Sequence, residues 1–131
     1  MDMEISFPGG MRVDAEYKGF IVRTDQPVTS GGENSAPAPF DLFLVSLGTC
    51  AGVYVLLFLQ QRGLSTEGAG ITMRHERDPQ TKLVSKISFE IKVPKDFPEK
   101  YKDAVIRAAE TCAVRRLIDN PPAFETSVTL A

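Results

Sequence analysis

Two cysteines, Cys50 and Cys112, are the residues of this chain best equipped for chemistry. A thiolate is both a nucleophile and a reductant, and two thiols that meet can close a disulfide. Other chemistries lack their parts. Two Cys and a single His, far apart and without ligand spacing, make a poor zinc set, so no metal is expected. Serine–histidine catalysis would have to run through His75, which stands among charges in Arg74-His75-Glu76-Arg77 and reads as a solvated strand residue. Two cysteines do not make a secreted disulfide scaffold. The start, Met1-Asp2-Met3-Glu4, is acidic and lacks the basic-then-apolar order of a signal peptide. A cytoplasmic location is the expectation, and thiols there are kept reduced, so this pair is either inert core or redox-active.

Both cysteines fall in helical patterns. From Pro39 to about Arg62 the chain reads as one long helix. Pro39 and Asp41 suit its first turn, Arg62 its last, and Gly63 is its stop. Phe43, Ser46, Leu47, Val53, Tyr54 and Leu57 share a face with Cys50. A second helix is predicted from Asp96-Phe97-Pro98-Glu99 to about Ala113, with Tyr101, Val105, Ala108 and Ala109 on the face of Cys112. Both thiols are thus expected to point toward core, which raises a thiol's pKa unless a cation stands nearby. Cys50 is far from the start of its own helix, so the candidate cations are Arg12, Arg23, Arg115 and Arg116.

The remaining elements are strands. Residues 3–7 and 11–23 form a meander, turning at Gly9-Gly10 and Lys18-Gly19. A long Pro/Ser/Gly-rich loop covers 24–39. Residues 68–78 and 82–93 make a hairpin around Asp78-Pro79-Gln80-Thr81, and Lys86–Val93 alternates strongly. Asn120-Pro121-Pro122 breaks the chain before a last predicted strand, Phe124–Leu130. Hairpins rather than crossovers join the strands. The fold class is therefore α+β, with antiparallel sheets packed around a long apolar helix plus a second helix, in one domain over 1–131.

The bulk numbers agree. The chain has 131 residues, 43% hydrophobic and 24% charged, with a formal net charge of −2, which points to neither nucleic acid nor an anionic membrane. Residues 42–61 carry no charge and reach a bilayer's thickness of roughly 30 Å. Ser46, Thr49, Cys50, Tyr54 and Gln60-Gln61, with Arg62 as the only basic flank, favour instead a helix buried between sheets. A helix apolar all round needs more cover than so short a chain supplies, which motivates burial at the centre of a homodimer.

The chain resembles the OsmC/Ohr family of osmotically inducible and organic hydroperoxide resistance proteins. The resemblance rests on Ala38-Pro39-Phe40-Asp41-Leu42-Phe43 leading to Leu47-Gly48-Thr49-Cys50, on Glu110-Thr111-Cys112-Ala113-Val114, and on the order of elements. It implies an intertwined homodimer in which Cys50 is peroxidatic and Cys112 resolving. Its substrate would be an organic hydroperoxide, its reductant an external dithiol, and it would need no cofactor. It also implies an early-strand Arg holding the thiolate, with Arg12 the best match and Arg23 second. Two positions depart from the family: Phe40 stands where a catalytic Glu is usual, and Ala113 where a proline often follows the second cysteine. Asp41, nine residues before Cys50, lies about half a turn away and serves the helix start. Two readings follow: a thiol-dependent hydroperoxide reductase of stress response, or a non-catalytic dimer that binds a small hydrophobic ligand or senses redox state.

Overall fold

Residues 2–131 are described in a computed structural model. They form two compact units, one ending at Val45 and the other running from Ser46 to Ala131.

The first unit is built on a three-stranded antiparallel meander, β1 (Glu4–Gly9), β2 (Arg12–Tyr17) and β3 (Phe20–Thr24), in that spatial order. Its turns use the backbone freedom that the sequence offers. Lys18 and Gly19 both take positive φ, 52° and 82°, the two-residue turn whose twist matches paired strands. At the other turn the register shifts between Ser6 and Gly9, and the Arg12 Nε donates to the Gly9 carbonyl at 3.2 Å. Phe7, Phe20 and Ile21 of this sheet are exposed.

The loop after β3 is organised by one buried carboxylate. Asp25, 1% exposed, accepts hydrogen bonds from the Gln26, Glu33 and Ser35 amides (2.7, 3.3 and 3.0 Å) and from the Ser35 hydroxyl (2.6 Å). The Asp25 amide in turn donates to the Pro37 carbonyl at 3.3 Å, pulling the loop's end back to its start. Gly32 is required where this loop folds in, because a Cβ there would run into the Gln26 carbonyl and come within 2.8 Å of Asp25 Oδ1.

The long helix is α1 (Pro39–Gln61), beginning and ending within one residue of the predicted limits. Leu44, Leu47, Ala51, Val55, Phe58 and Leu59 form its buried stripe, at the i, i+3, i+4 spacing of one helical face. The opposite side is equally apolar but exposed: Phe43, Val45, Val53, Leu56 and Leu57. Gly63, at φ 64°, ends the helix, and the Leu64 amide donates to the Leu59 carbonyl at 2.9 Å. The Arg62 guanidinium lies 3.6 Å from the centre of the Phe58 ring. By length and composition α1 could also cross a membrane, and a third of its most apolar window is buried.

In the second unit the buried stripe packs on a two-stranded hairpin and a second helix. The hairpin is β4 (Gly70–Arg77) and β5 (Val84–Lys92), with Ile71 opposite Ile91 and Met73 opposite Phe89. Asp78 closes its turn by accepting the Gln80 and Thr81 amides at 2.8 and 2.9 Å. A Cβ on Gly48 would lie 3.3 Å from Met73 Sδ, so glycine lets α1 approach the sheet closely. The helix α2 (Lys102–Glu110) contributes Val105 and Ala109 to the core. Phe97 and Tyr101, just before it, stack around Phe58 with ring centres 6.4 and 5.8 Å away.

Two sequence expectations are corrected. The second helix does not run unbroken to Ala113: α2 stops at Glu110, and a separate helix, α3 (Ala113–Asp119), begins after Cys112. Residues 124–130 form no strand. They have no regular secondary structure and pair with no strand, with Phe124, Val128 and Leu130 about nine-tenths exposed or more. Their alternating pattern prepares a strand, but a strand exists only where a neighbour completes its hydrogen bonds. His75 is an exposed strand residue, as expected.

The hydrogen bonds from Ser35 foremost, then from the Ser35 and Gln26 amides, hold the Asp25 carboxyl at about 2, below its ordinary value. A depressed carboxyl pKa stabilises the fold above the unfolded value of roughly 4, and the gain is lost as pH falls toward 2. Urea unfolding should therefore find Asp25→Asn destabilising at pH 7. The difference from wild type should shrink between about pH 4 and about pH 2.

Candidate thiol site

The break between α2 and α3 creates the site. At Thr111 the α2 ladder ends, with the Thr111 amide and hydroxyl both bonded to the Ala108 carbonyl at 3.2 and 2.7 Å. Cys112 then takes an extended conformation, φ −62° and ψ 146°, and becomes the cap of the next helix. Its carbonyl accepts the Arg116 amide at 3.1 Å, and its sulfur accepts the Arg115 amide at 3.4 Å. Cysteine is not among the residue types usually found capping a helix, so its sulfur is performing a task normally given to a side-chain oxygen. Ala113, where the family often has proline, is the first residue of α3, the helix position that best tolerates proline.

The start of α3 faces the other thiol. Burial pushes the Cys50 thiol up. Hydrogen bonds donated by the Val114 amide, the Cys112 thiol and the Ala113 amide, with the positive charge of Arg116, outweigh burial and bring Cys50 below the ordinary thiol range. The Cys112 sulfur thus takes up one backbone N–H that opens α3 and would otherwise lack a partner within it, and the two amides before it act on Cys50.

The two cysteines differ in setting. Cys112 is fully buried, as expected. Cys50 is only half-buried, because its face is the border of the buried stripe of α1. Leu47 is buried, Ser46 and Tyr54 are half-buried, and Val53 and Leu57 are exposed. The expectation that both thiols point into core therefore holds for Cys112 alone. Both are free thiols.

Of the four candidate cations, Arg116 is the one whose charge acts on Cys50. Arg115 is half-buried in the same short helix and bonds Cys112 through its backbone. Arg12 and Arg23 belong to β2 and β3 of the first unit, where Arg23 lies opposite Asp14. Phe40 is partly exposed in the first turn of α1 and pairs with the Phe43 ring at 5.9 Å. Among the described residues, no group of three His, Cys, Asp or Glu side chains could hold a metal ion.

Sequence reasoning missed the amides of Ala113 and Val114. A dipole was sought at the start of the helix that carries Cys50, whereas the donors belong to a different helix, whose existence depends on a cap that sequence rules do not recognise.

The comparisons agree with this architecture. Residues 32–127 match the family model for OsmC-like proteins, and the chain belongs to that family. Its solved neighbours share the fold at low identity. A Psychrobacter arcticus protein, described as an osmotic stress induced and detoxification response protein, is 21% identical with a TM-score of 0.73, over 87% of this chain and 85% of its own. An OsmC-like protein from Mycoplasma pneumoniae is 13% identical with a TM-score of 0.67, over 92% and 87% of the two chains. An organic hydroperoxide resistance protein OsmC from Legionella pneumophila is 17% identical with a TM-score of 0.58, over 90% and 89%. A search of curated proteins by sequence finds no match.

The groups around Cys50 set the direction of its titration. In a Cys112→Ala variant only Cys50 contributes thiolate absorbance near 240 nm, and its ionisation midpoint should lie above that of wild-type Cys50, because a donor is lost. Adding Arg116→Ala should raise it further. Added salt should reduce that second effect, since Arg116 is exposed.

Proposed function

We propose that this protein reduces organic hydroperoxides with Cys50 as the attacking thiolate and Cys112 as the resolving thiol. What supports the reading is that Cys112 and the start of α3 stand near enough to Cys50 to lower its pKa against the effect of burial. The Cys50 thiolate attacks the terminal oxygen of the peroxide, the O–O bond breaks, and the alkoxide leaves and takes a proton. Cys50 is then a sulfenic acid. Cys112 attacks it, a disulfide forms, and water leaves. An external dithiol returns two electrons and two protons.

The departure at Phe40 is compatible with this chemistry. In this reading the amides of Ala113 and Val114 and the charge of Arg116 supply the thiolate stabilisation that a carboxylate-oriented arginine supplies elsewhere in the family. Arg12 is carried into the site by resemblance alone. The second reading, a non-catalytic dimer that binds an apolar ligand or senses redox state, is favoured by the missing carboxylate at position 40.

We read the working form as a cytoplasmic homodimer. The exposed apolar side of α1 and the unpaired alternating segment 124–130 both lack cover within one chain. A position ten residues before Cys50 on an α-helix is also about 15 Å along its axis. A side chain at position 40 is thus poorly placed for the Cys50 of its own chain.

Two measurements test the reading. Reduced protein given one equivalent of cumene hydroperoxide should form a Cys50–Cys112 disulfide within seconds, found by peptide mass mapping. Two intact thiols after minutes would sink the enzyme reading and leave the binding protein. Light scattering at micromolar concentration should give twice the chain mass, and a monomer would defeat the dimer.

A further inference from the structure

Two adjoining clefts lie in the second unit and share Arg115 with the cap at Cys112. A cleft of about 530 Å³ runs between β5 and α2, walled by Phe89 and Ile91 from the strand, Val93 just beyond it, and Val105, Ile106 and Ala109 from the helix. A smaller one of about 270 Å³ shares Phe89 and Arg115 with it and adds Leu47, Ile87 and Ile118. The walls suit a hydrocarbon chain, and the larger volume is in the range of small-molecule sites.

The charges in the clefts are unequal. Lys102 lines the larger one, but its ammonium is tied to Glu99 at 2.8 Å. Arg115 lines both. It is half-buried, and the ion pairs among the described residues, Arg74–Glu90 and Lys102–Glu99, leave it without a carboxylate partner. Acids are near in sequence and share the walls, Glu110 in the larger cleft and Asp119 in the smaller, yet neither comes within 4 Å of the guanidinium. Both are exposed, whereas Arg115 is the charge drawn into the apolar surface. A half-desolvated guanidinium without a counter-charge favours an anion, and its planar fork fits a carboxylate by two parallel hydrogen bonds.

We propose that this cleft binds a small amphipathic carboxylate, its head on Arg115 and its apolar chain along Phe89, Ile91 and Val105. The ligand class follows from the pairing of one guanidinium that has no ion-pair partner with a trough of apolar walls, whose other charges are the Glu99-bound Lys102 and the exposed Glu110. The site does not depend on the peroxidase reading, because binding needs neither thiol to react.

The test is calorimetric titration of the reduced, full-length protein with decanoate, below the concentration at which it forms micelles. Saturable binding of one decanoate per chain is expected, with decanol at least tenfold weaker. Arg115→Leu keeps the backbone amide that caps Cys112 and should weaken decanoate at least tenfold while leaving decanol unchanged. Ile106→Glu, an exposed position on the wall, should weaken decanoate by adding a like charge, and circular dichroism identical to wild type would show that both variants fold. Absence of saturable binding would overturn the proposal. So would equal affinity for decanoate and decanol, or an Arg115→Leu variant that binds decanoate like wild type.

Discussion

The interaction on which the rest of the site depends is the meeting of the Cys50 sulfur with the first turn of α3. The Arg115 amide that opens that short helix finds its acceptor on the Cys112 sulfur, and the Ala113 and Val114 amides act on Cys50. A buried N–H without an acceptor is costly, so the start of α3 and the thiol pair hold each other in place. The same contacts lower the Cys50 pKa against the pull of burial. Structure and reactivity therefore share one set of hydrogen bonds. Any change that moves α3 also changes the chemistry of a residue sixty positions earlier in the chain.

The long helix explains why the site is where it is. Its buried stripe, from Ala51 to Leu59, joins α2 and the β4–β5 hairpin, and Gly48 lets the helix lie close to Met73. Cys50 occupies the border of that stripe. Full burial would have raised the thiol's pKa without access for a substrate, and full exposure would have removed the α3 donors. The border position leaves Cys50 half-buried and within the influence of α3. The apolar side left uncovered is the physical reason for reading the working form as a dimer.

The thiol pair and the cleft proposed for a carboxylate meet in α3. One of its arginines, Arg116, acts on Cys50 through its charge, while its neighbour, Arg115, presents its guanidinium to the two clefts. On a helix, adjacent residues point about 100° apart, so one short element serves two surfaces. This arrangement also locates the departure from the family pattern. With Phe40 in place of a carboxylate, the stabilisation of Cys50 within the chain comes from backbone amides and Arg116.

Much of the fold was legible in the amino-acid order because it rests on local signals. The limits of α1 follow from Pro39, Asp41 and Gly63, and the hairpins follow from Gly9-Gly10, Lys18-Gly19 and Asp78–Thr81. The cysteine pair and the family resemblance were legible too, since residue type and spacing carry them. Other features needed the tertiary structure. The break at Cys112 was invisible because the apolar periodicity runs on through it and sulfur is an unusual cap. The buried role of Asp25 was invisible because its partners are one, eight and ten residues away. Segment 124–130 has the pattern of a strand, but pairing is a property of two strands, and one chain does not provide the second. The sequence alone determined that two thiols would sit on helices in an α+β fold. Only the tertiary structure decided what activates Cys50, because its donors come from another helix and are backbone groups that every sequence possesses.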